Sequence, residues 1–340
     1  MIKTILEDWG KLKIEEVEVP QIGEEEALIK LVYGGICGTD VHVYHHNHKT
    51  AKVPVVLGHE YCGELVDFKT DYPTDLEIGD LVTSHPLNAC KVCEPCLGGH
   101  ENVCEHLEIY GVHTDGCFCE YIKVPIHKVY KFQKGVPAKV AALVEPLAVA
   151  VHDVRESGLR MSDSVFIIGG GPIGLLIALV ARQCGAAKVG VSEVNANRIA
   201  LIKSFGIEAF NPMEADFMDQ VQAFSQGKGC DVVFEVSGVR AGAELMTQVV
   251  KTRGMIVVVG VPKENYPVDT GAFVAKELKM HGVRIHPQID FKGAVDLINS
   301  GCINDELERL VTDEFHLKDL QKAIDFSVQD QNHFKVLLKL

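Results

Sequence analysis

The apolar and polar positions give the chain two textures. Up to about residue 138 the apolar runs are short and β-rich, broken by turn residues. Ala27 to Tyr33 is a strand that Gly34-Gly35 is expected to stop, and Tyr61 to Phe68 and Asp80 to Ser84 are further strands, with a turn at Gly79-Asp80. Helical periodicity is weak over this stretch. From Ala141 to His152 the pattern turns helical.

From residue 164 strands and helices alternate. Ser164 to Ile168 reads as a buried strand, followed by a glycine-rich turn and an apolar helix from Pro172 to Cys184, with Gly185 placed as a helix C-terminal glycine. Lys188 to Glu193 is a second strand, and Arg198 to Phe205 a second helix closed by Gly206. Asp231 to Val236 and Met255 to Val259 are two more strands, with a helical stretch from Gly242 to Thr252 between them. Such alternation predicts an α/β fold with a parallel sheet and right-handed crossovers. The amphipathic stretches Leu307 to Val311 and Leu317 to Val328 belong to neither texture by pattern alone.

Composition narrows the classes. A chain of 340 residues exceeds what one core usually serves, so two domains are expected. The net charge of −14 opposes nucleic acid or an anionic membrane as partner. The uncharged run Ser164 to Ala181 is long enough for a membrane span, but its glycines and proline fit a strand, turn and helix better. Met1 to Asp8 carries no apolar leader, so the eleven cysteines are expected to stay reduced in a cytoplasmic protein.

Four of those cysteines, Cys90, Cys93, Cys96 and Cys104, follow C-x2-C-x2-C-x7-C. Thiols so spaced suit one tetrahedral zinc ion, and an all-thiolate shell is structural rather than catalytic; a redox pair or disulfide loop is the alternative. The other six thiols outside any ligand set (Cys62, Cys117, Cys119, Cys184, Cys230 and Cys302) read as core filler.

Gly169, Gly171 and Gly174 form G-x-G-x-x-G between a predicted strand and helix, with Pro172 and Ile173 opening the helix. That context is what a dinucleotide requires: a tight turn, close backbone approach to the pyrophosphate, and free N–H groups at a helix start. Glu193 lies about 20 residues beyond Gly174, where a carboxylate binds the adenosine ribose and repels a 2′-phosphate, favouring NAD over NADP. Arg198 nearby leaves NADP open as the less favoured cofactor. Ser237-Gly238 and Val259-Gly260-Val261 end predicted parallel strands and are expected to line the nicotinamide pocket.

Upstream, Cys37, His59 and Glu60 supply a thiolate, an imidazole and a carboxylate, all acceptable zinc ligands. On residue types alone, a buried thiol, a core histidine and a surface glutamate remain an open reading. Gly35 to His42, Gly58-His59-Glu60, the four-cysteine set, Glu145-Pro146 and the glycine-rich turn occur in that order. In this the chain resembles, over essentially its whole length, the zinc-dependent medium-chain dehydrogenase/reductase family, in its polyol, threonine and sugar-acid branch.

That resemblance implies two zinc ions per chain. Cys37 and His59 would hold the catalytic one, with Glu60 and Glu145 as carboxylates ligating it directly or through water; classical alcohol dehydrogenases carry a cysteine where Glu145 falls. Thr39 and His42 resemble the family's proton relay. Arg284 would lie near cofactor and substrate, or at a subunit contact. The implied architecture is a GroES-like β-rich catalytic domain, residues 1–148 completed by 286–340, and a Rossmann domain, residues 149–285, with the active site in the cleft between them and a homodimer or homotetramer as the assembly.

The implied reaction is transfer of hydride from a secondary alcohol of a polyol or sugar acid to NAD⁺. A sugar phosphate, 2,3-butanediol or an L-threonine-type alcohol is the alternative substrate. The histidine-rich tract His45-His46-Asn47-His48-Lys49-Thr50, together with Lys52, His113, Thr114 and Asp115, is a candidate pocket rim. A zinc-free reductase of the same fold lacks the Cys37, His59 and four-cysteine constellation, and a non-catalytic NAD sensor would have no use for an open zinc site.

Overall fold

In the computed structural model, which describes residues 1–46, 48–330 and 332–340, the chain forms two units: Met1–Glu145 with Pro287–Leu340, and Pro146–His286.

The first unit is β-rich. Its largest sheet runs in the order Val129–Lys131, Leu81–Ser84, Glu60–Lys69, Glu26–Gly35, Lys335–Lys339, Val311–His316, and Tyr121–Pro125 also pairs with Glu26–Gly35. A three-stranded sheet of Lys11–Glu16, Ile2–Asp8 and Val55–Val56 adjoins a shared core around Leu6, Ile29, Leu57, Leu65 and Phe118, all fully buried. The strand Glu26–Gly35 ends at the expected glycine pair, at Gly35, but includes both glycines. They pair with Tyr61 and Glu60 on one side and with Leu338 and Leu337 on the other.

The C-terminal stretches that pattern alone left unassigned belong to this unit. Leu307 lies in the helix Asn304–Leu310, the strand Val311–His316 follows, and the helix Leu320–Gln329 packs Leu320, Ala323 and Ile324 into the same core.

The second unit is a six-stranded parallel sheet in the order Glu208–Phe210, Lys188–Ser192, Ser164–Ile168, Cys230–Glu235, Val250–Val258, Lys279–Gly282. The strand order reverses between Ser164–Ile168 and Cys230–Glu235, and ligands of doubly wound sheets bind beyond the carboxyl ends of strands at such a switch point. The membrane-length run Ser164 to Ala181 resolves into the strand Ser164–Ile168, a turn and part of the helix Pro172–Gln183. Among the described residues no helix is long and apolar enough to cross a membrane. The helical stretch expected to reach Thr252 ends at Val249, because Val250 turns back into the sheet opposite Cys230. The core-filler reading fails for two thiols: Cys184 and Cys302 are exposed, at the C-terminus of a helix and in a turn, while Cys62, Cys117, Cys119 and Cys230 are buried as expected.

Candidate metal centres and dinucleotide turn

Cys37, His59 and Glu60 come together, each offering a ligand atom within 4.8 Å of the others. Cys37 caps the short helix Gly38–Tyr44, Glu60 opens the neighbouring strand and His59 immediately precedes it, both almost wholly buried. A thiolate, an imidazole and a carboxylate so placed, with little water to solvate them, are a donor set that suits zinc. Glu145, in the first turn of the helix Val144–Glu156, is buried and close enough to bear electrostatically on His59, Glu60 and Lys335, but it stands outside the three-residue cluster.

Two side chains that the sequence reading passed over organise this cluster. Asp40, fully buried, accepts from Cys37 N–H at 2.8 Å with Oδ2 and from Gly58 N–H at 3.0 Å with Oδ1, and that same Oδ1 lies 3.8 Å from His59 Nδ1. One carboxylate thus fixes both ligand segments and faces the ring, the usual carboxylate–histidine support of a metal site. Burial pushes its carboxyl above the ordinary range, against the pull of His59. Its signal in the sequence was a capping box, Cys37 to Asp40, in a helix of only seven residues.

Lys335 is the second. It stands on the last strand and is ion-paired with Glu60 Oε2, where Gly35 lies opposite both Glu60 and Leu337. A Cβ on Gly35 would lie 2.1 Å from Glu60 Oε2 and 3.1 Å from Lys335 Cε, so only glycine leaves room for the pair. Burial opposes charge on Lys335, yet Glu60 and Cys37 outweigh it and hold the ammonium protonated. Burial likewise disfavours charge on His59, but Asp40 and Cys37 prevail and raise its pKa well above the usual value. A dication among these groups reverses that for the ring, because only neutral imidazole and thiolate coordinate.

The four-cysteine set forms a second cluster, with all ligand atoms within 4.8 Å. Cys93 Sγ and Cys104 Sγ are 3.8 Å apart, far beyond a disulfide bond and equal to the tetrahedral edge, about 3.8 Å, set by four sulfurs each about 2.3 Å from a zinc ion. Backbone N–H groups point at the sulfurs: Cys90 N–H and His106 N–H toward Cys104 at 3.2 and 3.3 Å, and Cys93 N–H toward Cys90 at 3.4 Å. N–H donors from Val92 and Cys93 lower the Cys90 pKa to about 6, favouring the thiolate a metal needs.

In the second unit, Gly169 leaves the strand at φ +106, and Gly171 caps the helix with Pro172 at its first turn. A Cβ on Gly174 would lie 1.9 Å from Gly169 O, which makes glycine obligatory there. A Cβ on Gly171 would instead meet only Arg198, at 3.8 Å, so open space faces the helix start, whose free N–H groups suit an anion such as a pyrophosphate. Glu193, just past the strand Lys188–Ser192, accepts from Gly170 N–H at 3.1 Å, Val194 N–H at 2.7 Å and Asn195 N–H at 2.9 Å, and its Oε2 is 3.9 Å from Arg198. Ser237 and Gly238, and Val259 to Val261, occupy the two adjacent carboxyl-end turns. Arg284 is exposed beyond the strand Lys279–Gly282.

The remaining candidates are scattered. Thr39 is half-buried and His42 exposed on the same short helix. His113 accepts from Ile109 N–H at 3.1 Å through Nδ1, which leaves Nε2 to donate to Thr50 Oγ1 at 3.0 Å. Asp115 accepts from Val56 N–H, and Lys52 pairs with Glu108, so neither charge is free. The Thr114 hydroxyl is buried without a hydrogen-bond partner. His46 stacks on Trp9, and Asn47 of the histidine-rich tract lies outside the described residues.

Comparison with known proteins agrees with these two constructions. Residues 23–134 match the alcohol dehydrogenase GroES-like domain, and residues 172–300 the zinc-binding dehydrogenase domain. The chain is 38% identical over 314 residues to a 2-dehydro-3-deoxy-L-galactonate 5-dehydrogenase from Pseudoalteromonas atlantica, covering 92% of this chain and 90% of that protein. It is 34% identical to an L-threonine 3-dehydrogenase from Bacillus velezensis, covering 94% and 92%. The crystal structure of L-idonate 5-dehydrogenase from Escherichia coli superposes with a TM-score of 0.90 at 29% identity, covering 100% and 98%. The chain belongs to the zinc-dependent medium-chain alcohol dehydrogenases, with a GroES-like and a Rossmann-type domain; zinc and a nicotinamide dinucleotide are its cofactors, and a small-molecule alcohol is its substrate.

Proposed function

We propose that this dehydrogenase oxidises a secondary hydroxyl of a sugar acid or polyol to the ketone, with NAD⁺ as hydride acceptor. The observation that carries the reading is the cluster of Cys37, His59 and Glu60, a three-donor set that leaves a tetrahedral ion one position for substrate. Similarity to two sugar-acid dehydrogenases supports a sugar acid as the substrate.

Cys37 and His59 hold the metal, with Glu60 or Glu145 as the exchangeable carboxylate, and Cys90, Cys93, Cys96 and Cys104 hold a structural zinc. When bound, zinc supplies Lewis acidity and the dinucleotide supplies the acceptor carbon for hydride. The substrate hydroxyl loses its proton to the Thr39 hydroxyl, which can donate and accept at once. His42, three residues on and on the same helix face, delivers it to solvent. Gly171, Pro172, Ile173 and Gly174 seat the pyrophosphate at the helix start. Glu193, held by three backbone N–H groups, accepts from the ribose hydroxyls and disfavours a 2′-phosphate, and Arg198 stacks or pairs beside it. Ser237, Val259, Gly260, Val261 and Arg284 face the nicotinamide half.

The catalytic domain is residues 1–148 completed by 286–340, and the dinucleotide domain residues 149–285. The protein works in the cytoplasm as a homodimer or homotetramer. All four residues of the strand Lys279–Gly282, at the edge of the parallel sheet, are exposed, which supports pairing with a second copy.

A second reading, oxidation of an L-threonine-type alcohol, draws on the 34% identity to an enzyme of that name. Following NADH absorbance over a panel of aldonates, deoxy-ketoaldonates, polyols and L-threonine tests both. Turnover on sugar acids supports the first reading, turnover confined to L-threonine supports the second, and NADH formation from none contradicts both.

A further inference from the structure

At the carboxyl end of the strand Cys230–Glu235, a carboxylate is enclosed by main chain. Glu235 is almost wholly buried. Oε1 accepts from the Ser237 hydroxyl, from Ser237 N–H at 3.0 Å and from Gly238 N–H at 3.2 Å, while Oε2 lies 3.3 Å from the Gly238 N–H. Its backbone carbonyl accepts from Val259 N–H and Gly260 N–H, each at 2.9 Å. One residue therefore ties the turn at 237–238 by its side chain and the turn at 259–260 by its main chain.

Glycines make this closure possible. A Cβ on Gly260 would lie 2.4 Å from Gly238 N and 3.0 Å from Glu235 Oε2, and one on Gly242 would lie 2.4 Å from Glu235 Oε1. A Cβ on Gly169 would lie 3.0 Å from Ser237 N, so the turn that Glu235 holds also abuts the glycine-rich turn. The turns after three neighbouring strands thus meet, two of them tied by the buried Glu235 and the third abutting Ser237. Burial raises the pKa of the Glu235 carboxyl, and the donors from Ser237 and Gly238 oppose the shift. An enclosed carboxylate is costly unless its partners are held in place, so the arrangement resists deformation.

We propose that Glu235 is a positioning residue for the nicotinamide half of the dinucleotide, locking the turns 237–238 and 259–261 into one rigid ledge at the switch point of the sheet. The inference rests on the reading that these turns face the nicotinamide. Glu235 itself touches neither cofactor nor substrate; it sets where the ledge stands.

The test compares binding of NADH with binding of ADP-ribose, which lacks the nicotinamide, to the full-length zinc-loaded enzyme by fluorescence titration and calorimetry. In Glu235→Gln the amide group turned toward Gly238 N–H is no longer an acceptor. NADH binding is expected to weaken about fivefold to tenfold, the worth of one hydrogen bond, with ADP-ribose unchanged within about twofold. Ser237→Ala removes one donor and is expected to shift NADH alone in the same direction by a smaller factor, and it decides the matter if Glu235→Gln does not fold. Equal weakening of both ligands, or of neither, overturns the proposal.

Val261→Trp tests the underlying reading separately, because Val261 is 89% exposed on the ledge. If that variant leaves NADH affinity untouched, the turns do not face the nicotinamide and both readings fall. If it weakens NADH while the Glu235 and Ser237 variants do not, only the positioning role is refuted.

Discussion

Lys335 and Glu60 form an ion pair across Gly35, with side chains 9% and 1% exposed. A buried pair of this kind adds little net stability over an apolar pair, but losing one partner leaves an uncompensated charge. Lys335→Met is therefore expected to lower the unfolding free energy of the zinc-free protein by about 3 kcal/mol or more, measured by urea titration. Adding Glu60→Gln to that variant is expected to recover part of the loss, and strictly additive losses would contradict the pairing.

Asp40 holds the backbone of Cys37 and of Gly58 and faces the His59 ring. Asp40→Asn keeps the shape but loses the charge, and it offers an amide group to N–H donors that need acceptors. Zinc affinity at the reactive site is expected to fall about tenfold to a hundredfold, read by competition with a chromogenic chelator, while the four-cysteine site keeps its metal.

Cys93 belongs to the closed site. Cys93→Ser is expected to remove about one zinc per chain and to lower the melting temperature, because structural zinc contributes folding energy directly. A variant that melts like wild type would remove the four-cysteine set from the stability account.

Lys128 gives a pH dependence with a definite sign. Its buried ammonium donates to Leu87 O at 2.7 Å and to Asn88, in the short strand Leu87–Asn88 just before Cys90. Burial, with help from Lys91, lowers its pKa from 10.5 to about 8. Between those values the unfolded chain binds the proton and the folded chain does not, so stability rises with pH across that window. Relative to Lys128→Met, the wild type is expected to gain stability on the order of 1–3 kcal/mol as pH rises from about 7 to 10.5, and to show no change at lower pH. A difference that stays flat across the window would contradict the shift.

Legibility in the sequence followed the range of the interactions. The strand Ser164–Ile168, the turn at Gly169 to Gly174 and the helix Pro172–Gln183 are contiguous, and their periodicity and glycine spacing announce them. Cys37, His59 and Glu60, which the fold brings together, were left open by residue type alone and singled out by the order of motifs around them. Asp40 was not singled out, because seven residues are too few for helical periodicity, and its capping role is visible only as a spacing from Cys37. Lys335 was hidden by distance: its strand joins the sheet beside Gly35, some 300 residues away in sequence, and nothing local marks that pairing. A lone lysine within the apolar run Phe334 to Leu338 was the available signal, since a charge in a buried strand needs a partner. The same non-local pairing hid the ownership of the C-terminal helices.

The central claim is that one ion held by Cys37 and His59 carries the reaction. Zinc content and substrate-dependent NADH formation measured together on purified wild type and Cys37→Ser test it most directly. The account predicts about two zinc ions per chain and turnover for the wild type; for Cys37→Ser it predicts about one zinc and turnover lower by about a thousandfold or more, with NADH binding and melting temperature nearly unchanged. A Cys37→Ser enzyme that turns over at the wild-type rate, or that loses dinucleotide binding along with its zinc, would contradict it.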